Sequence, residues 1–178
     1  NSYVGPPVSR YLLALIQKLK LSNVNTRLTV MQSSGGILDA ESCLQKPAHI
    51  VECGPAAGVV GAEYIAKRSG FDNVITLDMG GTTAKASIIE GGTYTLAEEY
   101  EVGGGMSSSS ALVGKGGYAL KLPVIDIAEV GAGGGSIAWL DGVGSLKIGP
   151  ESAGALPGPA CYGLGGERPT VTDANLVL

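Results

Sequence analysis

Two apolar runs joined by a pair of glycines do most to limit what this chain can fold into. Residues 74–90 read VITLDMGGTTAKASIIE. The β-branched run VITLD predicts a buried strand that delivers Asp78 to its end, and TTAKASIIE predicts a second strand running back. Gly80 and Gly81 have nothing beyond Cα, so the backbone can turn tightly there and aim its N–H groups outward. Such a turn, with the Thr82 and Thr83 hydroxyls beside it, can hold phosphate oxygens. A carboxylate at the strand end can bind Mg²⁺ directly or through water, or orient an attacking water. An ordinary hairpin needs neither an aspartate before its turn nor two threonines after it. The segment is therefore read as a phosphate-binding hairpin, with Asp78 as its catalytic and metal-binding residue.

The rest of the chain reads as glycine-rich α/β. Ser9 is predicted to cap a helix running to about Lys20, with Tyr11, Leu12, Leu15, Ile16 and Leu19 on its apolar face. Arg27 to Gln32 is predicted as a strand ended by Ser33-Ser34-Gly35-Gly36, Asp39 to Leu44 as a short helix, and Pro47 to Val51 as extended chain. Pro55 opens a small-residue helix, PAAGVVGAEYIAKR, with Gly70 past its end. Gly58, Gly61 and Ala62 leave one face of it nearly bare, which predicts close packing against another element. TYTLAEEY (93–100) and VIDIAEV (124–130) read as single strands, and IAWLD with SLKIG as a hairpin around Asp141-Gly142. Residues 103–117 read as a low-complexity loop, residues 149–169 as irregular, and Trp139 as core.

A second glycine cluster, Gly131 to Ser136, has two readings. Gly133, Gly134, Gly135 and Ser136 can approach a phosphate or substrate backbone-first, or they can serve close packing of two lobes. A dinucleotide fingerprint fits poorly, because the cluster leads into a strand and Asp141 follows too soon. Gly114-Lys115 is no Walker A sequence. Asp126 and Glu129, three apart on a predicted strand, point to opposite faces and make a poor acid–base pair. Asp173 reads as the cap of a helix beginning at Ala174, with a cleft role for it or Thr172 as the alternative. His49 reads as structural, and Ser107 to Ser110 have no nearby base.

Composition removes several function classes. The formal net charge is −4 and no basic run exceeds Lys67-Arg68, so nucleic-acid binding has no electrostatic footprint. No apolar run approaches the ~20 residues of a membrane helix. Three cysteines, Cys43, Cys53 and Cys161, without a CxxC motif make neither a disulfide framework nor a zinc site and suit a reducing, cytoplasmic setting. The 29 glycines have no collagen period, and the positive mean hydropathy argues against disorder.

Five ordered motifs carry a resemblance across nearly the whole chain: MQSSGGIL, GPAAGVVGA, LDMGGTTAK, VGAGGGSIA and GPESAGALPGPACYGLGG followed by PTVTDANLVL. Together they resemble the hydantoinase A/oxoprolinase family of the actin-like ATPase superfamily. That resemblance implies an RNase H-like fold of two lobes around a nucleotide. Residues 1–54 would end the first lobe, 55–70 form the crossing helix, and 71–178 begin the second lobe. The chain is then expected to be an internal piece, with further nucleotide-binding motifs on either side and weak ATP binding in isolation.

The resemblance further implies ATP with Mg²⁺ or another divalent metal, and a partner subunit or domain of the hydantoinase B type. Its substrates would be a lactam, an imide or a ketone, activated by phosphorylation for hydrolysis or carboxylation. The alternatives are an ATPase switch that drives a partner protein, and a catalytically silent scaffold. Three places depart from the family pattern. Many members read DMGGTSTD where Ala84-Lys85 stand here, and Lys85 either neutralises phosphate as a point charge or faces solvent. Ala128 stands where some members carry histidine, which puts a strict hydantoinase substrate in doubt. Cys53 replaces the usual serine, and no catalytic thiol is read into it.

Overall fold

A computed structural model describes residues 1–102 and 118–178; the loop expected over 103–117, with its serine run, lies outside them. Helix α1 (Gly5–Leu21) is followed by β1 (Thr29–Met31), β2 (Ile37–Asp39), α2 (Ala40–Gln45) and α3 (Cys53–Arg68). Then come β3 (Val74–Met79), β4 (Ala84–Glu90), β5 (Thr93–Tyr94), β6 (Leu96–Ala97), β7 (Tyr100–Val102), β8 (Tyr118–Leu120), β9 (Val124–Ile125) and β10 (Ala128–Val130). The chain closes with β11 (Ser136–Leu140), β12 (Leu146–Ser152) and α4 (Val171–Val177). The architecture is mixed α/β.

Several boundaries differ from the sequence reading for local reasons. Helix α1 starts at Gly5 rather than Ser9, because Pro6 and Pro7 fall in its first turn, where a missing N–H costs nothing. Asp39 caps α2, accepting the Ser42 N–H at 2.8 Å. Pro47–Ile50, expected to be extended, is a 3₁₀ turn. The single strand expected over 124–130 breaks at Asp126-Ile127 because its two ends serve different sheets: β9 pairs with β6, and β10 pairs with β4. TYTLAEEY likewise splits into β5, β6 and the start of β7.

The central sheet runs β10-β4-β3, all antiparallel, with β5 beside β4. Helix α3 covers one face of it. Ala56 and Val59 from the helix meet Ile89 and Ile125, with Val60, Ala62, Val74, Tyr94 and Ile127 packed around them. Because strand side chains alternate, the opposite face carries Ile75, Leu77, Met79, Ile88 and Val130, all exposed. The strand VITLD is thus half-covered rather than buried.

The N-terminal part is tied to β9 through Ser33 of the MQSSGG run. Its hydroxyl donates to the His49 carbonyl at 2.9 Å and to the Val51 carbonyl, and its own carbonyl accepts the Ile125 N–H at 2.8 Å. Strands β11 and β12 form the expected hairpin. Trp139 on it is not core: it is 47% exposed, and its indole N–H donates to the Gly149 carbonyl. No helix among the described residues is long and apolar enough to cross a membrane.

Candidate functional site

The hairpin of β3 and β4 turns through Gly80–Thr83, closed by a Gly80 N–H to Thr83 carbonyl bond of 2.9 Å. Gly81 and Thr82 at the tip are exposed, and among the described residues no hydrogen bond engages their N–H groups. Asp78 sits two residues before the turn, exposed, and its carboxylate makes no hydrogen bond or ion pair among the described residues. It faces α3, where a Cβ built on Gly58 would lie 3.9 Å from its Oδ2. Between helix and hairpin opens a cleft of about 280 Å³, lined by Pro55, Gly58, Ala62, Thr76, Asp78 and Lys85 among others. A larger cavity, about 370 Å³, lies between α1 and α2, away from Asp78 and the turn.

The glycine face of α3 borders this cleft instead of packing. Gly54, Gly58 and Gly61 are exposed, and a Cβ on Gly54 or Gly61 would meet nothing within 4 Å. The helix packs through Ala56, Val59 and Ala66. The close contact expected of Gly58 and Gly61 is therefore not made among the described residues.

The second glycine cluster lies directly beneath the turn. Gly134 N–H donates to the Gly80 carbonyl at 2.9 Å, and Gly135 N–H to the Gly81 carbonyl at 2.7 Å. Gly133 N–H donates to Ser136 Oγ, and Ser136 N–H to the Gly133 carbonyl. All four N–H groups are thus engaged inside the protein, and Ser136 is fully buried. Among the described residues the cluster packs, but against the turn of its own segment rather than between two lobes: it braces the turn. Thr172 braces the cluster in turn, with its N–H and hydroxyl both donating to the Gly134 carbonyl at 2.8 Å.

Lys85 neither faces solvent nor points freely into the cleft. Its side chain is 16% exposed, and its ammonium donates to Thr83 Oγ1 and Glu129 Oε1, each at 3.0 Å, with Glu52 Oε2 3.9 Å away. Burial raises the Glu52 carboxyl above its ordinary range; Lys85 opposes that rise and Glu129 adds to it. Glu52 holds a left-handed backbone, φ 64°, a conformation that costs roughly 1–2 kcal/mol for a residue with a side chain. Sequence reading missed Glu52 altogether, since nothing in its local pattern links it to the hairpin.

Asp126 is exposed, and its carbonyl accepts the Ser87 hydroxyl. Asp173 does not cap a helix at Ala174. The cap is Thr170, and Asp173 closes a capping box three residues in. Its carboxylate also accepts the N–H groups of Ala160 and Cys161, so it organises the closing segment at a structural corner.

Among the described residues no group of three or more His, Cys, Asp or Glu side chains could hold a metal. Asp78 is a hard oxygen donor, exposed and without a partner among the described residues. That suits Mg²⁺, which takes one or two carboxylates and draws its other ligands from water and phosphate.

Comparison with known proteins gives a consistent answer. The hydantoinase/oxoprolinase family model matches residues 1–178. The chain is 49% identical over its full length to the uncharacterized protein MJ0964 of Methanocaldococcus jannaschii, of which it covers 26%. It is 37% identical to the caprolactamase subunit alpha of Pseudomonas jessenii over all of this chain and 24% of that one. The crystal structure of the ATP-dependent caprolactamase from that organism superposes with a TM-score of 0.64 at 34% identity, over 100% of this chain and 24% of that one. A nucleotide-free acetone carboxylase, which carries out ATP-dependent acetone carboxylation, superposes with a TM-score of 0.71 at 28% identity, over 94% of this chain and 22% of that one. The chain thus spans about a quarter of the length of these two curated relatives.

Proposed function

The chain belongs to the hydantoinase/oxoprolinase family, and from that premise we propose that the Asp78–Thr83 turn is a nucleotide-phosphate site in an ATP-dependent enzyme that activates a lactam, imide or ketone carbonyl. One observation carries the reading. Among the described residues, an unpaired, exposed carboxylate stands beside a turn whose tip N–H groups are free, and the braced glycine cluster holds that turn from below. Without an anion in view, a fold has little reason to spend so many buried backbone contacts on fixing a surface turn.

Each group has a distinct part. Gly81 and Thr82 N–H donate to phosphate oxygens, and Asp78 holds a divalent cation directly or through water. Thr83 Oγ1 already accepts from Lys85, so its own hydroxyl proton is free to donate to phosphate. Gly133 to Ser136 keep the turn in shape without touching the nucleotide. ATP supplies the driving chemistry: phosphorylation of an unreactive carbonyl oxygen makes it a leaving group. The protein contributes position and charge stabilisation. We further read the chain as part of an actin-like ATPase fold, with residues 55–70 as the crossing helix between two lobes. A hydantoinase B-type subunit or domain would complete the reaction.

The test is phosphate release from ATP by the full-length protein with its partner, in the presence of 5-oxoproline, hydantoins, caprolactam or small ketones. Release should rise with one of these and fall on the order of 100-fold or more in Asp78→Asn. Because the Asp78 side chain has no partner among the described residues, the variant should fold as the wild type does. Release that ignores every small molecule but follows the partner protein would replace this reading with an ATPase switch.

A further inference from the structure

Lys85 sits between two carboxylates in register across the central sheet. Asp78 on β3 and Glu129 on β10 are its direct cross-strand neighbours, and by strand alternation all three point to the face that α3 covers. Opposite charges directly across a ladder attract one another, so Asp78 and Glu129 compete for one ammonium. The outcome is one-sided. Lys85 pairs with Glu129 at 3.0 Å and leans toward Glu52 at 3.9 Å, and no ion pair joins it to Asp78.

Solvation explains the preference. The Glu52 and Glu129 side chains are 30% and 25% exposed, and Asp78 is exposed. An unpaired charge costs more where water is scarcer, so the ammonium goes to the more buried pair. The Thr83 hydroxyl, 3.0 Å away, fixes it there. The cluster as a whole keeps more negative than positive charge, which favours a cation at Asp78.

We propose that Glu129, assisted by Glu52, is a positioning residue that draws the Lys85 ammonium away from Asp78 and so keeps the Asp78 carboxylate available to a divalent cation. The proposal rests on the phosphate-site reading of Asp78 given above. Removing the Glu129 charge releases Lys85 toward its other cross-strand neighbour, where it neutralises Asp78 and displaces the metal. The defect is one of competition, so taking away the competitor's charge repairs it. A merely structural role for Glu129 would not be repaired in that way.

The experiment titrates Mn²⁺, followed by electron paramagnetic resonance, into the full-length protein with ADP. The forms compared are wild type, Asp78→Asn, Glu129→Gln, Lys85→Gln, and Glu129→Gln combined with Lys85→Gln. Asp78→Asn should weaken Mn²⁺ binding about tenfold or more, and Glu129→Gln about fivefold. The double variant, whose two amides can still bond to each other, should return to within about twofold of wild type, as should Lys85→Gln alone. If Asp78→Asn leaves Mn²⁺ affinity unchanged, the phosphate-site reading fails and this proposal with it. If Asp78→Asn weakens binding but Glu129→Gln does not, or the double variant stays as weak as Glu129→Gln, the positioning role alone is overturned. Thermal unfolding reports whether each variant folds. Should Glu129→Gln not fold, Glu52→Gln with and without Lys85→Gln asks the same question from the second partner, and no repair by Lys85→Gln overturns the proposal.

Discussion

Gly133 and Thr82 meet backbone to backbone: a Cβ placed on Gly133 would stand 2.6 Å from the Thr82 nitrogen and 2.7 Å from the Gly80 carbonyl oxygen. Two segments fifty residues apart in sequence are pressed together at a distance that only a missing side chain allows, and the hydrogen bonds from Gly134 and Gly135 lock them. The exposed turn owes its shape to this contact.

Gly133→Ala should therefore damage both stability and the site, because the atoms in its way are backbone and cannot swing aside. A loss of about 1–3 kcal/mol is expected, with nucleotide binding impaired as the turn is pushed out of shape. Gly131→Ala is the internal control, since its Cβ would meet nothing within 4 Å and surface changes of that kind stay within about 0.5 kcal/mol. Urea unfolding and nucleotide titration of both variants check the pair.

On α3 the expectation has the opposite sign. Gly61 lies inside the helix with open space where a Cβ would go. Gly61→Ala should raise stability by about 0.5–1 kcal/mol through helix propensity. Gly58→Val would gain less and would crowd Asp78, so it should weaken nucleotide binding where Gly61→Ala does not. Unfolding midpoints set beside nucleotide affinities separate the two effects.

Asp173 gives a pH dependence of definite sign. Hydrogen bonds from the Cys161 N–H and thiol, then from Thr170, hold its carboxyl far below the ordinary carboxylate range. A group depressed in the folded state lends stability that is present above its unfolded value of about 3.9 and disappears as pH falls through the folded one. The unfolding midpoint should thus drop as the solution is acidified below about pH 4. In Asp173→Asn that acid-dependent drop should be shallower. Equal slopes in thermal scans of the two proteins would count against the assignment.

Ser33→Ala probes the joint between the N-terminal part and β9. The serine is 4% exposed, and its hydroxyl serves the His49 and Val51 carbonyls. Its loss leaves the Val51 carbonyl short of a donor, at a cost of about 1–3 kcal/mol. Chemical denaturation measures it, and a change under about 0.5 kcal/mol would mean that water replaces the bond.

Local pattern was enough to read the hairpin of residues 74–90, with Asp78 at a strand end and the glycine turn after it, because β-branched runs and paired glycines act over a few bonds. The same holds for the α3 helix and the β11–β12 hairpin. Ordered motifs, which record contacts that sequence arithmetic cannot compute, were enough to place the chain in its family. Pairings between distant segments were decided only by the tertiary structure. The use of Gly133–Ser136 as a brace depends on which carbonyls lie opposite their N–H groups, and those belong to Gly80 and Gly81. The break at Asp126-Ile127 depends on two sheets competing for one run of residues. The exposure of Trp139, of Ile75 and of the α3 glycines depends on which faces find a partner. Lys85 is the clearest case: its charge is plain in the sequence, but its allegiance to Glu129 rather than Asp78 follows from burial, which no single segment sets.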